Sequence, residues 1–170
     1  MTTMTSQDLA RIFPGLVDNY LEEASTPKQV SPDPIHEAHP SWSFTTTDQV
    51  LTIGAIFHDS EQLRVTLGLA LDVPYTPEAS HIVNRLNNKH LLFGRIFLIG
   101  NDESGRGCIL MQEIFLCDSL SEEYLPSIQN LLRVMAALGG QAGQLAPQLR
   151  EDLGGRPFTE EDAFFLQTNG

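Results

Sequence analysis

The side chains that could do chemistry fall into a few short clusters, and each fails a spacing requirement. His36, Glu37 and His39 supply the donor types of a zinc-protease helix, but that motif needs histidines at i and i+4 on one helical face. Here they are three apart, between Pro34 and Pro40, so a polar loop is expected and no metal site. His58, Asp59 and Ser60 are the three types of a hydrolytic triad. A triad requires side chains converging from separated positions beside an oxyanion hole, so three consecutive residues read as a turn. Asp102 and Glu103 lack the offsets of a calcium loop, and residues 139–143 are glycine-rich without the Lys-Ser/Thr of a phosphate loop. The latter read as a helix break. His81 and His90 fall on the polar side of a short helix and read as surface residues. No catalytic residue, metal ligand or cofactor site is expected.

Cys108 and Cys117 are nine residues apart on one expected strand. At about 3.3 Å per residue that separates them by roughly 30 Å, on opposite faces. They cannot bridge each other and are expected as reduced, partly buried thiols of a cytoplasmic protein.

The elements that would position any site follow from periodicity. Residues 6–24 carry Leu9, Ile12, Phe13, Leu16, Val17, Tyr20 and Leu21 at helical spacing, with Ser6 as N-cap and a kink or restart at Pro14. Residues 25–40 hold four of the ten prolines and read as an extended loop. Alternation around Trp42 and Phe44, across 51–57 and across 63–72 gives three antiparallel strands. Thr76, Pro77 and Glu78 start a helix running to Lys89. Residues 91–100 and 107–117 form a hairpin that is apolar on both faces, so both faces must be covered. Ser119 to Glu122 has a capping-box pattern opening a long helix, broken at Gly139 and Gly140 and closed at Gly154 and Gly155.

The expectation is therefore an α+β domain over residues 1–155, with a five-stranded antiparallel sheet packed by helices in the order α-β-β-β-α-β-β-α. Residues 156–170 form an acidic C-terminal tail, with Phe158, Phe164 and Phe165 available for docking. With 10 Lys and Arg against 22 Asp and Glu, the net charge of -12 repels phosphate backbones and anionic lipids. No apolar run reaches the 18 to 20 or so residues of a membrane span, and the N-terminus reads as no signal peptide. Neither nucleic acid nor membrane is an expected partner.

In its order of elements, its Leu92-Phe93-Gly94-Arg95-Ile96 strand entry, its helix start at Ser121-Glu122-Glu123 and its closing Leu153-Gly154-Gly155-Arg156-Pro157-Phe158, the chain resembles the type III secretion chaperone-like family, in particular its YbjN-like members. The resemblance implies a non-enzymatic protein-interaction or chaperone-like module, acidic and cytoplasmic, engaging a protein or peptide client. The proline-rich stretch and the tail depart from that pattern.

Candidate partner-binding residues are Trp42, Phe44, Phe93, Phe97, Met111 and Phe115. The strand holding Trp42 and Phe44 is the expected free edge, and a homodimer is expected through the second face of the 91–117 hairpin. The alternative function is a regulatory domain binding a small ligand in a cleft between sheet and helix.

Overall fold

Period-two alternation builds the sheet, and the composition of each strand decides whether one face or both need cover. The computed structural model describes residues 3–22, 24–30, 39–46, 50–89, 91–120 and 125–169, without side chains at 125–127, 168 and 169. The elements are α1 (Ser6–Tyr20), β1 (Lys28–Gln29), β2 (Ser41–Thr45), β3 (Leu51–Phe57), β4 (Gln62–Pro74), α2 (Pro77–Lys89), β5 (Arg95–Asn101), β6 (Arg106–Leu116), α3 (Leu125–Leu153) and α4 (Ala163–Asn169). Short 3-10 turns at Cys117–Ser119 and Glu160–Asp162 precede the last two helices.

The class is α+β, an antiparallel sheet packed by helices, with six strands rather than five in the order β1-β2-β3-β4-β6-β5. The extra strand comes from the proline-rich segment. Lys28 and Gln29 pair with Ser43 and Trp42, while the Ser25 and Val30 amides donate to the Thr45 and Ser41 carbonyls at 2.9 and 3.0 Å. Thus β2 is no free edge. Strand pairing satisfies its outward backbone groups, which would otherwise face solvent unpaired.

Three helix expectations change. Thr5, not Ser6, caps α1: its hydroxyl accepts from the Asp8 amide at 3.2 Å, and the Asp8 carboxylate accepts from the Thr5 amide in return. The hydrogen bonds to Thr5 hold the Asp8 carboxyl below the usual carboxylate range. The helix passes through Pro14 without restarting. Gly139 and Gly140 do not break α3, which is continuous for 29 residues. A Cβ at Gly139 would lie 3.1 Å from the Thr46 methyl, so the missing side chain serves the close approach of helix to sheet. Gly154, at φ +72°, ends α3, its amide donating to the Arg150 carbonyl at 2.9 Å. Of the expected capping box, Ser119 lies in the Cys117–Ser119 turn with its hydroxyl donating to the Leu116 carbonyl at 2.6 Å, while Glu122, with Ser121, Glu123, His90 and the 36–38 part of the histidine cluster, lies outside the described residues.

Two cores flank the sheet. On the first face Leu9, Phe13 and Val17 of α1 and Leu131, Met135 and Leu138 of α3 pack on Val65, Leu67, Ile109 and Met111. On the second, Phe158, Ala163 and Leu166 cover Leu51, Ile53, Leu71, Cys108 and Leu110. The expected tail is thus folded onto the sheet. Leu71 and Arg156 exchange two backbone hydrogen bonds of 2.8 Å, and a bulge in β4 puts Asp72 at φ +57°. Cys108 and Cys117 are free and belong to opposite cores. Among the described residues no helix is long and apolar enough to cross a membrane.

Candidate functional site

Strand parity assigns each side chain to a face. Cys108 and Leu110 point to the second face, so Gln112, Ile114 and Leu116 follow them. The register then adds Arg95, Phe97 and Ile99 from β5 and Gln62, Arg64 and Thr66 from β4. The tail helix cannot reach all of these. Its seven residues span about 10 Å, and it packs on β3 and β4. Beyond it Phe97, Ile99, Ile114 and Leu116 remain 42, 36, 44 and 49% exposed. The expected two-sided cover therefore holds over Cys108 and Leu110 of β6, but not over their β5 partners Ile99 and Phe97, nor over Ile114 and Leu116 farther along β6.

The open half has defined polar geometry. Gln112 Nε2 donates to Thr66 Oγ1 at 3.1 Å, and the Arg64 guanidinium lies 4.4 Å above the Phe57 ring. A cavity of about 280 Å³ is lined by Gly94, Arg95, Phe97, Gln112, Glu113 and Ile114. Glu113 turns to the other side by parity, and its Oε2 accepts the Gly94 amide at 2.5 Å. At the tail boundary Arg156 donates to Asp72 at 2.9 Å and to Asp162 at 3.2 Å. Burial pushes the Asp162 carboxyl up, but hydrogen bonds from Arg156 and the Thr159 amide outweigh it and hold the group below the usual carboxylate range.

Of the six residues expected to bind a partner, Phe97 lies in this open patch. Phe93 is 38% exposed in the bend before β5, where Gln141 of α3 accepts from the Leu92 amide and donates to the Phe93 carbonyl. Phe44 and Met111 are buried in the first core at 3 and 0% exposure, a correction to their expected place at the surface. Trp42 and Phe115 are half-buried against the same core, Trp42 with its ring 5.6 Å from that of Phe13. The helices claim these four because alternation sends them to the first face. Ile99, Ile114, Leu116 and Arg95 were legible as neighbours on the second face, but nothing in the pattern said which face stays open.

The structure assembles another constellation that the sequence reading missed. Ser6 Oγ donates to Glu61 Oε1 at 2.9 Å, the Ser6 amide donates to Oε2 at 2.6 Å, and His58 Nδ1 lies 2.8 Å from Ser6 Oγ. The carboxylate holds the serine rather than orienting the imidazole, and Ser6 is 0% exposed, so this hydroxyl meets no substrate. Glu61 ties the first turn of α1 to the β3–β4 turn, where a negative charge suits a helix N-terminus. Asp59 and Ser60 of the consecutive trio are exposed turn residues. Among the described residues no three or more His, Cys, Asp or Glu side chains are grouped to hold a metal ion.

A second cavity, about 310 Å³, lies between the end of α1, Thr46 and α3. Tyr20, Leu21, Leu132, Met135 and Ala136 supply apolar wall, and Thr46 Oγ1 is buried without a hydrogen-bond partner among the described residues.

No family model matches this sequence, and no curated protein matches it significantly. Among solved structures it is similar to the crystal structure of the ExsC–ExsE complex, with a TM-score of 0.38 and 14% identity, over 81% of this chain and 96% of that one. At that score neither fold nor function transfers.

Proposed function

We propose that this chain is a non-enzymatic, cytoplasmic protein-interaction module of chaperone-like kind, which docks a protein or peptide on the open half of its second sheet face. The observation that supports the reading is the exposure of Phe97, Ile99, Ile114 and Leu116 on one sheet face, each at least 36% exposed, with Phe97 and Ile114 lining one cavity. Large apolar side chains left exposed together on one face mark interaction sites in soluble proteins. A photo-crosslinking residue at position 97 or 114, expressed in the native host, is expected to give a discrete adduct, while one at exposed Glu151 gives none. Absence of adducts at both positions would overturn the reading.

A second reading, a regulatory domain for a small apolar ligand, is favoured by the cavity between α1 and α3, where the buried Thr46 hydroxyl offers one polar contact. Ala136→Trp fills that space from an exposed helix position. On this reading the variant abolishes any ligand-induced rise in melting temperature and leaves the crosslinks at 97 and 114 intact.

A further inference from the structure

We propose that the cavity between α1 and α3 is a site for a free amino acid with a large apolar side chain, held by its ammonium and carboxylate at the mouth and by its side chain inside. The inference rests on the small-ligand reading above and names the chemistry of the ligand. Its first support is the size and wall of the cavity. About 310 Å³ lies at the lower end of the range for small-molecule pockets, roughly 300 to 1,000 Å³, which is room for an amino acid and too little for a peptide or a lipid. Leu21, Leu132, Met135 and Ala136 make the wall apolar. Thr46 Oγ1, buried without a hydrogen-bond partner among the described residues, is an unmet polar group at its sheet side.

The second support is the charge at the mouth. Among the described residues the charged side chains that line the cavity are Glu22, just past the end of α1, and Arg133 on α3. Both are exposed, and neither makes a hydrogen bond or an ion pair to a described residue. The last turn of α1 holds no basic residue, so the negative end of its dipole stands uncompensated beside Glu22. A lone carboxylate would gain Arg133 but meet Glu22 and the helix end, and a lone ammonium would gain these but meet Arg133. A zwitterion satisfies both sides. Being neutral overall, it is also not repelled by the net charge of -12.

The third support is the backbone of α3, where Gly139 and Gly140 both line the cavity. The Thr46 methyl accounts for Gly139, but a Cβ at Gly140 would meet no other atom within 4 Å, so packing does not ask for a glycine there. Glycine inside a helix is less favourable than alanine. What bare backbone supplies at a cavity wall is close approach of a ligand. The cavity at the start of α2, lined by Tyr75, His81 and Asp102 among others, fits less well, since none of the buried polar atoms without a partner belongs to it.

The test measures the melting temperature and amide NMR shifts of the full chain with millimolar leucine, methionine, phenylalanine or tyrosine. Partial mimics separate the charges: methyl esters keep the ammonium alone, N-acetyl derivatives keep the carboxylate alone, and octanol has neither. At least one free amino acid is expected to raise the melting temperature by about 2 °C or more and to shift the amides of Leu132 and Met135, with its ester and N-acetyl forms weaker. Arg133→Gln should weaken the amino acid about five- to tenfold and leave the ester unchanged, and Glu22→Gln should weaken it likewise and leave the N-acetyl form unchanged. Ala136→Trp should abolish all binding. Circular dichroism checks that these variants, all at exposed positions, remain folded. Esters, N-acetyl forms or octanol binding as tightly as the free amino acids, and lost in Ala136→Trp, would overturn the zwitterion class while the small-ligand reading stands. Amino-acid binding unchanged in Ala136→Trp places it elsewhere and overturns the proposal. If no probe binds, octanol included, the proposal fails and the small-ligand reading fails with it.

Discussion

The two halves of the second sheet face share strands, parity and twist, and differ in what lies on them. Over β3 and the bulged end of β4, Phe158 is 4% and Leu166 0% exposed. Over β5 and the far end of β6, side chains of the same kind stand in solvent at 36 to 49% exposure. An apolar strand residue is therefore buried or exposed according to whether the chain has a segment left to cover it. The covering segment is held by packing, the Leu71–Arg156 backbone pair and two exposed ion-pair clusters, of which packing contributes most.

The largest effect should come from Phe158→Ala in the covered half. Emptying a buried aromatic site is expected to cost about 3 to 5 kcal/mol in urea unfolding, against a fraction of that for Phe97→Ala in the open half. Equal costs at the two positions would erase the distinction between the halves.

The thiols sharpen it next. Burial pushes Cys108 up to about 11, and burial with the Glu61 and Asp118 charges does the same for Cys117. These values lie above the ordinary 9.0, so the unfolded chain gives up its thiol protons first. Stability that is fully present below pH 9.0 is then lost as pH rises toward about 11. The loss is on the order of 2 to 3 kcal/mol for each thiol, read from melting temperature against pH in wild type and in Cys108→Ala. Native thiols should also alkylate slowly. Rapid labelling of Cys108 would mean that the tail opens readily.

Gly68→Ala tests the contact beneath the tail. A Cβ there would lie 2.5 Å from the Phe158 ring, and overpacking of this kind costs about 1 to 3 kcal/mol. Combined with Phe158→Ala the penalty should largely vanish, because the ring it strikes is gone. Full additivity would show that Gly68 is needed for another reason.

The smallest effect belongs to Phe97→Ser with Ile114→Ser. Stability should change by no more than about 0.5 kcal/mol per site, as at exposed positions elsewhere, while docking on the face is lost. A large fall in melting temperature would show that these side chains are structural.

By itself the sequence determined the α+β class, the antiparallel pairing and the limits of α2, because period-two and period-3.6 alternation and the Thr76-Pro77-Glu78 start are local signals that tertiary contacts only reinforce. It also placed the two cysteines on opposite faces, since parity along a strand is a local property. Tertiary structure decided the rest. Residues 28 and 29 became an edge strand because β2 had unpaired backbone groups within reach. The glycines at 139 and 140 did not end α3, and at Gly139 the close packing of Thr46 favours a missing Cβ. Ser6, His58 and Glu61 met across 55 residues only when the β3–β4 turn came up against the first turn of α1. Which apolar face would stay open depended on where a seven-residue helix at the end of the chain comes to rest. That segment reads locally as an acidic tail, and its place on the sheet is set by distant residues, by the Gly68 surface under Phe158 and by the Lys28 and Arg156 ion pairs.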